Sequence, residues 1–289
     1  GGSTQIRILT LRPGPAPGHA PSAGPDGRQH ALPRGLGTLA VHSQHTLLAD
    51  HDALFAAAAG LIPSLKGRLA GESPALLMAP PHGAPNEVAA ALHGHWQQAH
   101  PEAGAAYWLT RSWGMLCWQS IYLAMVAVYR VGAVPALDRM GQGYQEGLVS
   151  GFSLPAEPMI KGEVKTLIKA AGERLQAHWQ ELFALLGEVQ RLRPGFVRPL
   201  LADDLLAALV RVPDFFGEIS PEVVQAHAPL WLAACGLPAG HLAGWRPASL
   251  PRDEAFPGYV RQRCCLHYRR GDGELCGNCP RRQGAASCD

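Results

Sequence analysis

Apolar residues recur at intervals of three and four along most of this chain, a spacing that predicts helices with one buried face. The most regular example spans residues 159–192, and Pro194-Gly195 just beyond it predicts the end of that helix. Its apolar stripe consists of Val164, Leu167, Ile168, Ala171, Leu175, Trp179, Leu182, Leu186 and Val189. The pattern indicates a mainly α fold with few short strands.

Four shorter helices are predicted over residues 47–62, 86–101, 200–210 and 220–236. Asn86 is the predicted N-cap of the second of these helices. Ser220 and Pro221 give the last one a cap and a first-turn proline, and Pro229 is a predicted kink within it.

The most apolar stretch, residues 113–137, raises the question of a transmembrane helix. Gln119, Ser120 and Arg130 interrupt it, and its uncharged run is shorter than the roughly 20 residues that a bilayer requires. A central core helix is therefore predicted, with no transmembrane span. Its aromatic residues could line a ligand groove, but core packing is the favoured interpretation for Trp113, Trp118, Tyr122 and Tyr129.

The start of the chain differs in composition from the rest. Residues 12–37 contain six prolines and six glycines, which disfavours both a helix and a packed core. We therefore expect a flexible leader over residues 1–37, in which Gly1–Ser3 resemble an expression remnant and residues 6–11 form a short strand. A helical domain over 38–258 and a cysteine-bearing segment over 259–289 complete the predicted organisation.

Composition excludes several classes of function. A net charge of +2 over 289 residues gives no reason to expect nucleic-acid binding. Residues 141–147 are rich in glycine, but the third glycine comes one residue too late for a dinucleotide-binding loop. The sequence contains neither a phosphate-binding loop nor a nucleophile elbow, and its histidines follow no metal-binding motif. A bound nicotinamide or flavin is therefore not expected.

Four of the seven cysteines lie within sixteen positions near the C-terminal end. Cys264 and Cys265 are adjacent, ten residues separate them from Cys276, and two further residues precede Cys279. Four thiolates suit either a tetrahedral zinc ion or an iron–sulfur cluster. Because no secretory leader is recognised, the clustered thiols indicate a reducing compartment and a metal rather than disulfides.

The adjacent pair favours iron over zinc. Neighbouring side chains on an extended backbone point in opposite directions, so they reach one small ion only if the backbone bends sharply. A [2Fe–2S] cluster is a larger target, with two irons that each take two thiolates. We hypothesise that Cys276 and Cys279 bind one iron and that Cys264 and Cys265 serve the other. The glycine and asparagine between the later pair suit a tight turn.

The stretch from Cys264-Cys265-Leu266-His267-Tyr268-Arg269 to Leu275-Cys276-Gly277-Asn278-Cys279-Pro280 resembles the C-terminal signature of FhuF-type ferric-siderophore reductases. That family's pattern is Cys-Cys-x10-Cys-x2-Cys, and the spacing here matches it in full. The close match covers only the C-terminal end of the chain. The resemblance implies that Cys264, Cys265, Cys276 and Cys279 bind a [2Fe–2S] cluster.

The resemblance also implies an oxidoreductase that works in the cytoplasm by one-electron reduction of Fe(III) in hydroxamate-type siderophores. Fe(II) binds oxygen donors more weakly than Fe(III), so one electron releases the metal. A separate electron donor, ferredoxin-like or flavoprotein-like, is expected because the chain carries no recognisable site for a redox nucleotide. A transient association with the inner membrane is left open.

The segment around the cysteines is basic. From Arg261 to Arg282 six arginines face two carboxylates, a local charge of +4 on a chain whose total is +2. Positive charge beside a cluster raises its reduction potential and attracts an acidic donor. Arg261, Arg263, Arg269 and Arg270 are therefore candidates for docking the substrate or the donor, the alternative being a solvated basic face.

Two other functions stay open on the sequence. A helical binding or interaction protein with a structural Zn(Cys)4 tail would be colourless, and its tail would unfold on chelation. An iron–sulfur sensor or electron carrier would hold a cluster without binding a siderophore. Of the remaining cysteines, Cys117 and Cys235 are predicted to be buried apolar residues, and Cys288 a frayed terminal thiol.

Overall fold

The computed structural model describes residues 34–247, except 71–73, 80–82 and the side chains of 34–42, together with 249 and 258–283. Most of the predicted leader, the short strand at 6–11 and Cys288 lie outside the described residues. The described part is mainly α, with 61% of the structure helical, which confirms the predicted fold class. The chain divides into two units, residues 1–40 and 41–289, so the cysteine segment shares a unit with the helices.

The helices are α1 (Arg34–Leu61), α2 (Pro85–Ala99), α3 (Ala105–Val126), α4 (Val164–Gly187), α5 (Pro194–Leu209), α6 (Val212–Phe215) and α7 (Pro221–Ala234). A π-helical turn, Ala127–Val131, continues α3 without a break. Ser220 caps α7 as predicted, because its hydroxyl oxygen accepts from the backbone N–H of Val223 at 3.3 Å.

Several predicted helix boundaries are wrong. Helix α1 begins at Arg34, inside the predicted leader and well before the predicted start at 47, and α5 begins at Pro194 rather than at 200. The helix expected over 159–192 begins at Val164 and ends at Gly187. Pro194 does not terminate a helix but begins α5, since the first helical turn needs no N–H from that residue. The N-cap of α2 is Ala84 rather than Asn86, and the Glu87 carboxylate accepts from the Ala84 N–H instead.

Helix α3 lies at the centre of the core, as predicted for the most apolar stretch. Its residues pack against α2, α4 and α5. By length and composition Ala105–Val131 is the one helix among the described residues that could cross a membrane, and 67% of its most apolar window is buried inside the protein. Trp113 is almost fully buried, whereas Trp118 and Tyr122 are only half-buried. Both pack against the core from its edge, so the interpretation of all four aromatics as core residues holds only in part for these two.

None of the strands among the described residues was predicted by position from the sequence. These strands are β1 (Gly67–Ala70), β2 (Leu77–Met78), β3 (Ala133–Val134), β4 (Gly141–Gln145), β5 (Leu148–Pro155) and β6 (Ile160–Lys161). Four of them form a mixed sheet in the order β1-β5-β4-β2, and β3 pairs with β6. The glycine-rich stretch 141–147 is a strand and hairpin turn, with Glu146 and Gly147 both at positive φ.

Two side chains of α3 join the helix to this hairpin. The Trp118 indole N–H donates to the Val149 carbonyl at 2.7 Å, and the Gln119 amide donates to the Gly151 carbonyl at 3.1 Å. Both bonds satisfy polar groups that would otherwise be costly to bury. They hold α3 against the hairpin, and the same helix also contacts α5.

A buried histidine gives the fold a dependence on pH. His178 in α4 has no solvent exposure, and neither ring nitrogen has a hydrogen-bond partner among the described residues. Burial lowers the pKa of His178 to about 4. The unfolded chain therefore takes up a proton below about pH 6.5 that the folded protein excludes, and stability falls as the pH falls from there toward 4.

We expect the free energy of unfolding to drop by about 2 kcal/mol between pH 7 and pH 5 because of His178 alone. His178→Leu keeps a similar volume without a titrating group and should remove that part of the slope. Urea unfolding at several pH values measures it, with His45→Leu at an exposed histidine of α1 as the control. Equal slopes in the two variants would contradict the assignment.

Candidate metal centre and the adjoining cleft

The cysteine segment is anchored to α5 by a buried carboxylate. Asp203 has no solvent exposure and accepts three hydrogen bonds: from the Tyr259 hydroxyl at 2.7 Å, and from the backbone N–H groups of Gln262 and Arg263 at 2.8 Å each. These donors lie directly before Cys264 in the chain. Asp203 therefore fixes the backbone that leads into the first pair of cysteines.

The neighbouring carboxylate makes a second tie. The Arg261 guanidinium, only 8% exposed, donates to Asp204 at 2.6 Å. Burial acts to lower the pKa of Arg261, but the carboxylates of Asp204 and Asp203 outweigh it and raise that pKa. For the Asp203 carboxyl, burial acts in the other direction and raises the pKa, while Arg261 and the three hydrogen-bond donors oppose this rise. Two acids from α5 and one arginine from the tail thus form a compensated buried network.

The backbone around the adjacent cysteines suits an anionic group. Leu266 adopts a left-handed conformation, with φ 61°, which is unusual for a residue with a side chain. The chain reverses there, so the Leu266 N–H donates to the Cys264 sulfur at 3.4 Å and the His267 N–H donates to Cys265. Successive N–H groups that converge on thiolates form an anion-binding nest and stabilise metal-bound sulfur.

The second pair lies on a tight turn, as predicted. The Cys279 N–H donates to the Cys276 carbonyl at 3.1 Å across Gly277 and Asn278. The Arg282 guanidinium donates to the same carbonyl at 2.9 Å, and the Asn278 carbonyl accepts from the Arg261 N–H at 3.1 Å. The turn is thereby joined to the strand-like segment that Asp203 anchors.

The two pairs of cysteines meet through one member of each. The Cys265 and Cys276 sulfurs are 3.6 Å apart, close to the separation of about 3.8 Å expected for two thiolates on one tetrahedral metal with bonds of about 2.3 Å. The contact joins one cysteine from each pair, whereas the sequence suggested that the two members of each pair bind the same iron. No three His, Cys, Asp or Glu side chains are gathered for one metal ion within the described residues. Binding of a four-thiolate group would therefore require the other two thiols to close further around it.

The contact between the two sulfurs shifts the pKa values of Cys265 and Cys276 in opposite directions. The hydrogen bond from Cys276 lowers the pKa of Cys265 to about 6, and the same interaction raises that of Cys276. A thiolate is the form that binds metal, so one ligand is already available near neutral pH. Cys264 and Cys279 are buried, while Cys265 and Cys276 are half-buried. The donor set, the nest and the sulfur spacing all fit a thiolate-bound iron–sulfur group.

The four arginines proposed for docking occupy different environments. Arg261 is buried in the network with Asp204. Arg270 makes two hydrogen bonds to Asp272, at 2.8 and 2.7 Å. Arg263 and Arg269 are exposed. The role of the four arginines in docking a substrate or donor stays a prediction. Only Arg263 and Arg269 among them carry an exposed charge.

A cleft of about 520 Å³ opens beside the turn of the second cysteine pair. We call it the α3–α5 cleft, since those helices form its sides and the Gly277-Asn278 turn borders it. Trp118, Tyr122, Arg111 and Arg211 face this space, and the buried ion pair of Arg261 and Asp204 contributes to its wall. Burial lowers the pKa of Arg111, although arginine remains charged.

Two groups of residues at the site were not identified from the sequence: the acids of α5 and the charged residues of the cleft. Asp203 and Asp204 interrupt an apolar helix, and buried acids in such a place need partners, so the sequence held a usable signal. Trp118 and Tyr122 were considered as groove residues, although core packing was favoured for them. Arg111 and Met115 lie on the same face of α3 at helical spacing and were not considered, although that spacing could have indicated the cleft. Arg211 carried no such signal.

Residues 261–281 match the family model of the FhuF 2Fe-2S C-terminal domain. The match spans all four cysteines of the tail, and it confirms the resemblance recognised in the sequence and the [2Fe–2S] cluster as the cofactor. No solved structure matches this chain. The cysteine segment is thus similar to an iron–sulfur domain of siderophore-reductase-like proteins, and the match does not extend to the helices upstream of it.

Proposed function

We propose that the protein is a ferric-siderophore reductase acting on hydroxamate-type chelates. The observation that carries this proposal is the FhuF 2Fe-2S domain with its thiols beside a cleft of ligand size. Cys264, Cys265, Cys276 and Cys279 are the residues that would hold the cluster. When bound, the cluster would supply a one-electron couple for the reduction of Fe(III), with a separate ferredoxin-like or flavoprotein-like donor as the source of the electron.

The protein's own residues have two tasks in such a reaction. They must keep the thiolates in place, which Asp203 and the nest at Leu266 support. They must also let a bulky chelate approach, and the half-buried Cys265 and Cys276 leave the metal centre near the surface. No general acid or nucleophile is needed, since Fe(II) leaves hydroxamate oxygens once it is reduced.

The proposal includes a cytoplasmic location. Four thiols that must stay reduced require a compartment that keeps them so. A soluble low-potential donor of the ferredoxin or flavoprotein class would meet the exposed basic residues Arg263 and Arg269.

Stoichiometric reoxidation tests the activity. Anaerobically reduced protein, freed of excess dithionite, should lose its spin-half resonance on addition of ferric desferrioxamine B whose free amine has been succinylated, a hydroxamate chelate without a cationic group. One Fe(II), trapped by ferrozine, should appear for each electron lost, and the redox-inert gallium(III) chelate should leave the signal unchanged. A stable cluster that the ferric chelate does not reoxidise would instead indicate a carrier or sensor. Bound zinc without iron would indicate a structural zinc tail.

A further inference from the structure

We propose that the α3–α5 cleft is where the siderophore binds and that its two unpaired arginines select anionic ferric chelates over cationic ones. The inference rests on the proposed function and adds a binding site, named residues and a charge preference to it. Trp118 and Tyr122 would pack against the organic part of the chelate, and Arg111 and Arg211 would face its negative groups.

The position of the cleft is the first reason. Its wall includes Gly277 and Asn278, the two residues between Cys276 and Cys279. A side chain added at Gly277 would meet nothing within 4 Å, so the turn presents bare backbone to open space and a ligand can approach it closely. A second cavity of about 460 Å³, with a less polar wall, lies elsewhere, between α3, α4, α5 and the residues that follow α7. None of the residues that line it belongs to the cysteine segment, so a ligand there would not contact that segment.

The aromatic wall is already fixed before any ligand arrives. The Trp118 indole is held by its bond to the Val149 carbonyl at 2.7 Å, and its ring lies edge-on to Tyr122 at 6.4 Å. Tyr122 in turn contacts Phe215, with ring centroids 6.2 Å apart. Little side-chain freedom is left to lose on binding, which favours affinity for a ligand with apolar surface.

The charge of the cleft is the second reason. Arg261 is neutralised by Asp204 at 2.6 Å. By contrast, Arg111 and Arg211 make no ion pair with an acid among the described residues, and the Arg111 Nε is buried without a hydrogen-bond partner there. Their guanidinium groups lie over aromatic rings, Arg111 over Trp96 at 4.7 Å and Arg211 over Phe215 at 4.6 Å. The one carboxylate among the described residues of the wall, Asp204, is already paired with Arg261, so the charges of Arg111 and Arg211 face the space without a balancing acid.

Such a site favours a negative ligand and favours it further after reduction. Each electron accepted by the iron makes the chelate more negative by one charge. The half-buried Arg111 and the exposed Arg211 therefore bind the ferrous chelate more tightly than the ferric one, and reduction becomes easier in the cleft than in water. A chelate that carries its own ammonium group would meet repulsion instead.

Gly114 offers a way to close the cleft without damaging the fold. It lies on α3, lines the cleft, and a Cβ there would meet nothing within 4 Å. Gly114→Leu places a side chain into that space and also replaces a helix-weakening glycine, so the helix should become more stable. Gly94→Leu is the matched control, because Gly94 is a half-buried glycine within α2 that likewise has no neighbour for an added Cβ.

The test is calorimetric binding of redox-inert gallium(III) chelates to the cluster-bearing protein. The two probes are gallium desferrioxamine B, whose free amine is cationic, and the same complex with that amine succinylated, which is anionic. The anionic probe should bind at least tenfold more tightly, and Arg211→Gln should reduce that preference several-fold. Gly114→Leu should weaken binding of both probes at least tenfold, whereas Gly94→Leu should not change it.

Three results would overturn the proposal. Unchanged binding in Gly114→Leu would place the siderophore elsewhere, and equal affinity for the two probes would remove the charge preference. Absence of probe binding at millimolar concentration would reject the site altogether. Reoxidation of the reduced protein by ferric chelate separates these failures from a failure of the proposed function, because a displaced binding site leaves reoxidation intact and a wrong function abolishes it.

Discussion

Replacing Cys276 by serine is expected to remove the [2Fe–2S] cluster and all ferric-chelate reduction with it. Cys276 is the thiol through which the second pair meets the first, with its sulfur 3.6 Å from that of Cys265. A serine hydroxyl stays protonated at neutral pH and is a hard oxygen donor, so it replaces a soft thiolate poorly at iron. Iron and sulfide per protein, together with the resonance of the reduced protein, measure the loss.

Cys235→Ala is the control for that substitution. Cys235 is a buried cysteine at the C-terminal end of α7, and burial raises its pKa, which makes it an inert thiol. That variant should retain the wild-type iron content even if its stability drops by about 1 kcal/mol. Cluster and activity that survive in Cys276→Ser at wild-type levels would remove Cys276 from the ligand set.

The second large effect is expected at a residue that touches no cysteine. Asp203→Asn keeps the shape of the side chain but turns one acceptor oxygen into a donor, which then faces the N–H of Arg263 or Gln262. Leaving one such buried group unsatisfied costs about 3 kcal/mol. The segment before Cys264 should detach from α5, and the cluster should be lost to a chelator about 10²-fold faster.

The rate of iron release to an excess of a ferrous chelator under reducing conditions measures this effect. Asp214→Asn, at an exposed carboxylate of α6, is the control and should release iron at the wild-type rate. Tyr259→Phe removes only one of the three bonds to Asp203 and should give an intermediate rate. Wild-type release from Asp203→Asn would show that this anchor does not control cluster retention.

Local pattern sufficed for the helices and for the cysteines. The apolar period of α4, the cap at Ser220 and the Cys-x-x-Cys turn all depend on residues a few positions apart, so the sequence displays them directly. Helix ends were less certain, because a proline such as Pro194 is equally suited to follow one helix or to begin the next.

Long-range pairing is where the sequence reading failed. Strand β1 is only four residues long, too short to show an alternating pattern of apolar and polar residues. Its partner β5 lies more than eighty positions later, so nothing near β1 in the sequence indicates their pairing. The cleft combines Arg111 with Arg211 in the same way, and only the packing of α3 on α5 brings them together. The pairing of sulfurs likewise depends on how Leu266 turns the backbone, which spacing alone does not determine.

The tail is not a portable module, and this follows from how it is held. Its backbone is fastened by Asp203 and Asp204 of α5, and by Glu102, whose carboxylate accepts from the Gly271 N–H at 2.8 Å. All three acids lie well upstream of the segment that the family model matches. A peptide spanning only the cysteines, or the same motif grafted onto another scaffold, would lack these acceptors. Transplanting this metal centre would require moving α5 and the loop before α3 along with it.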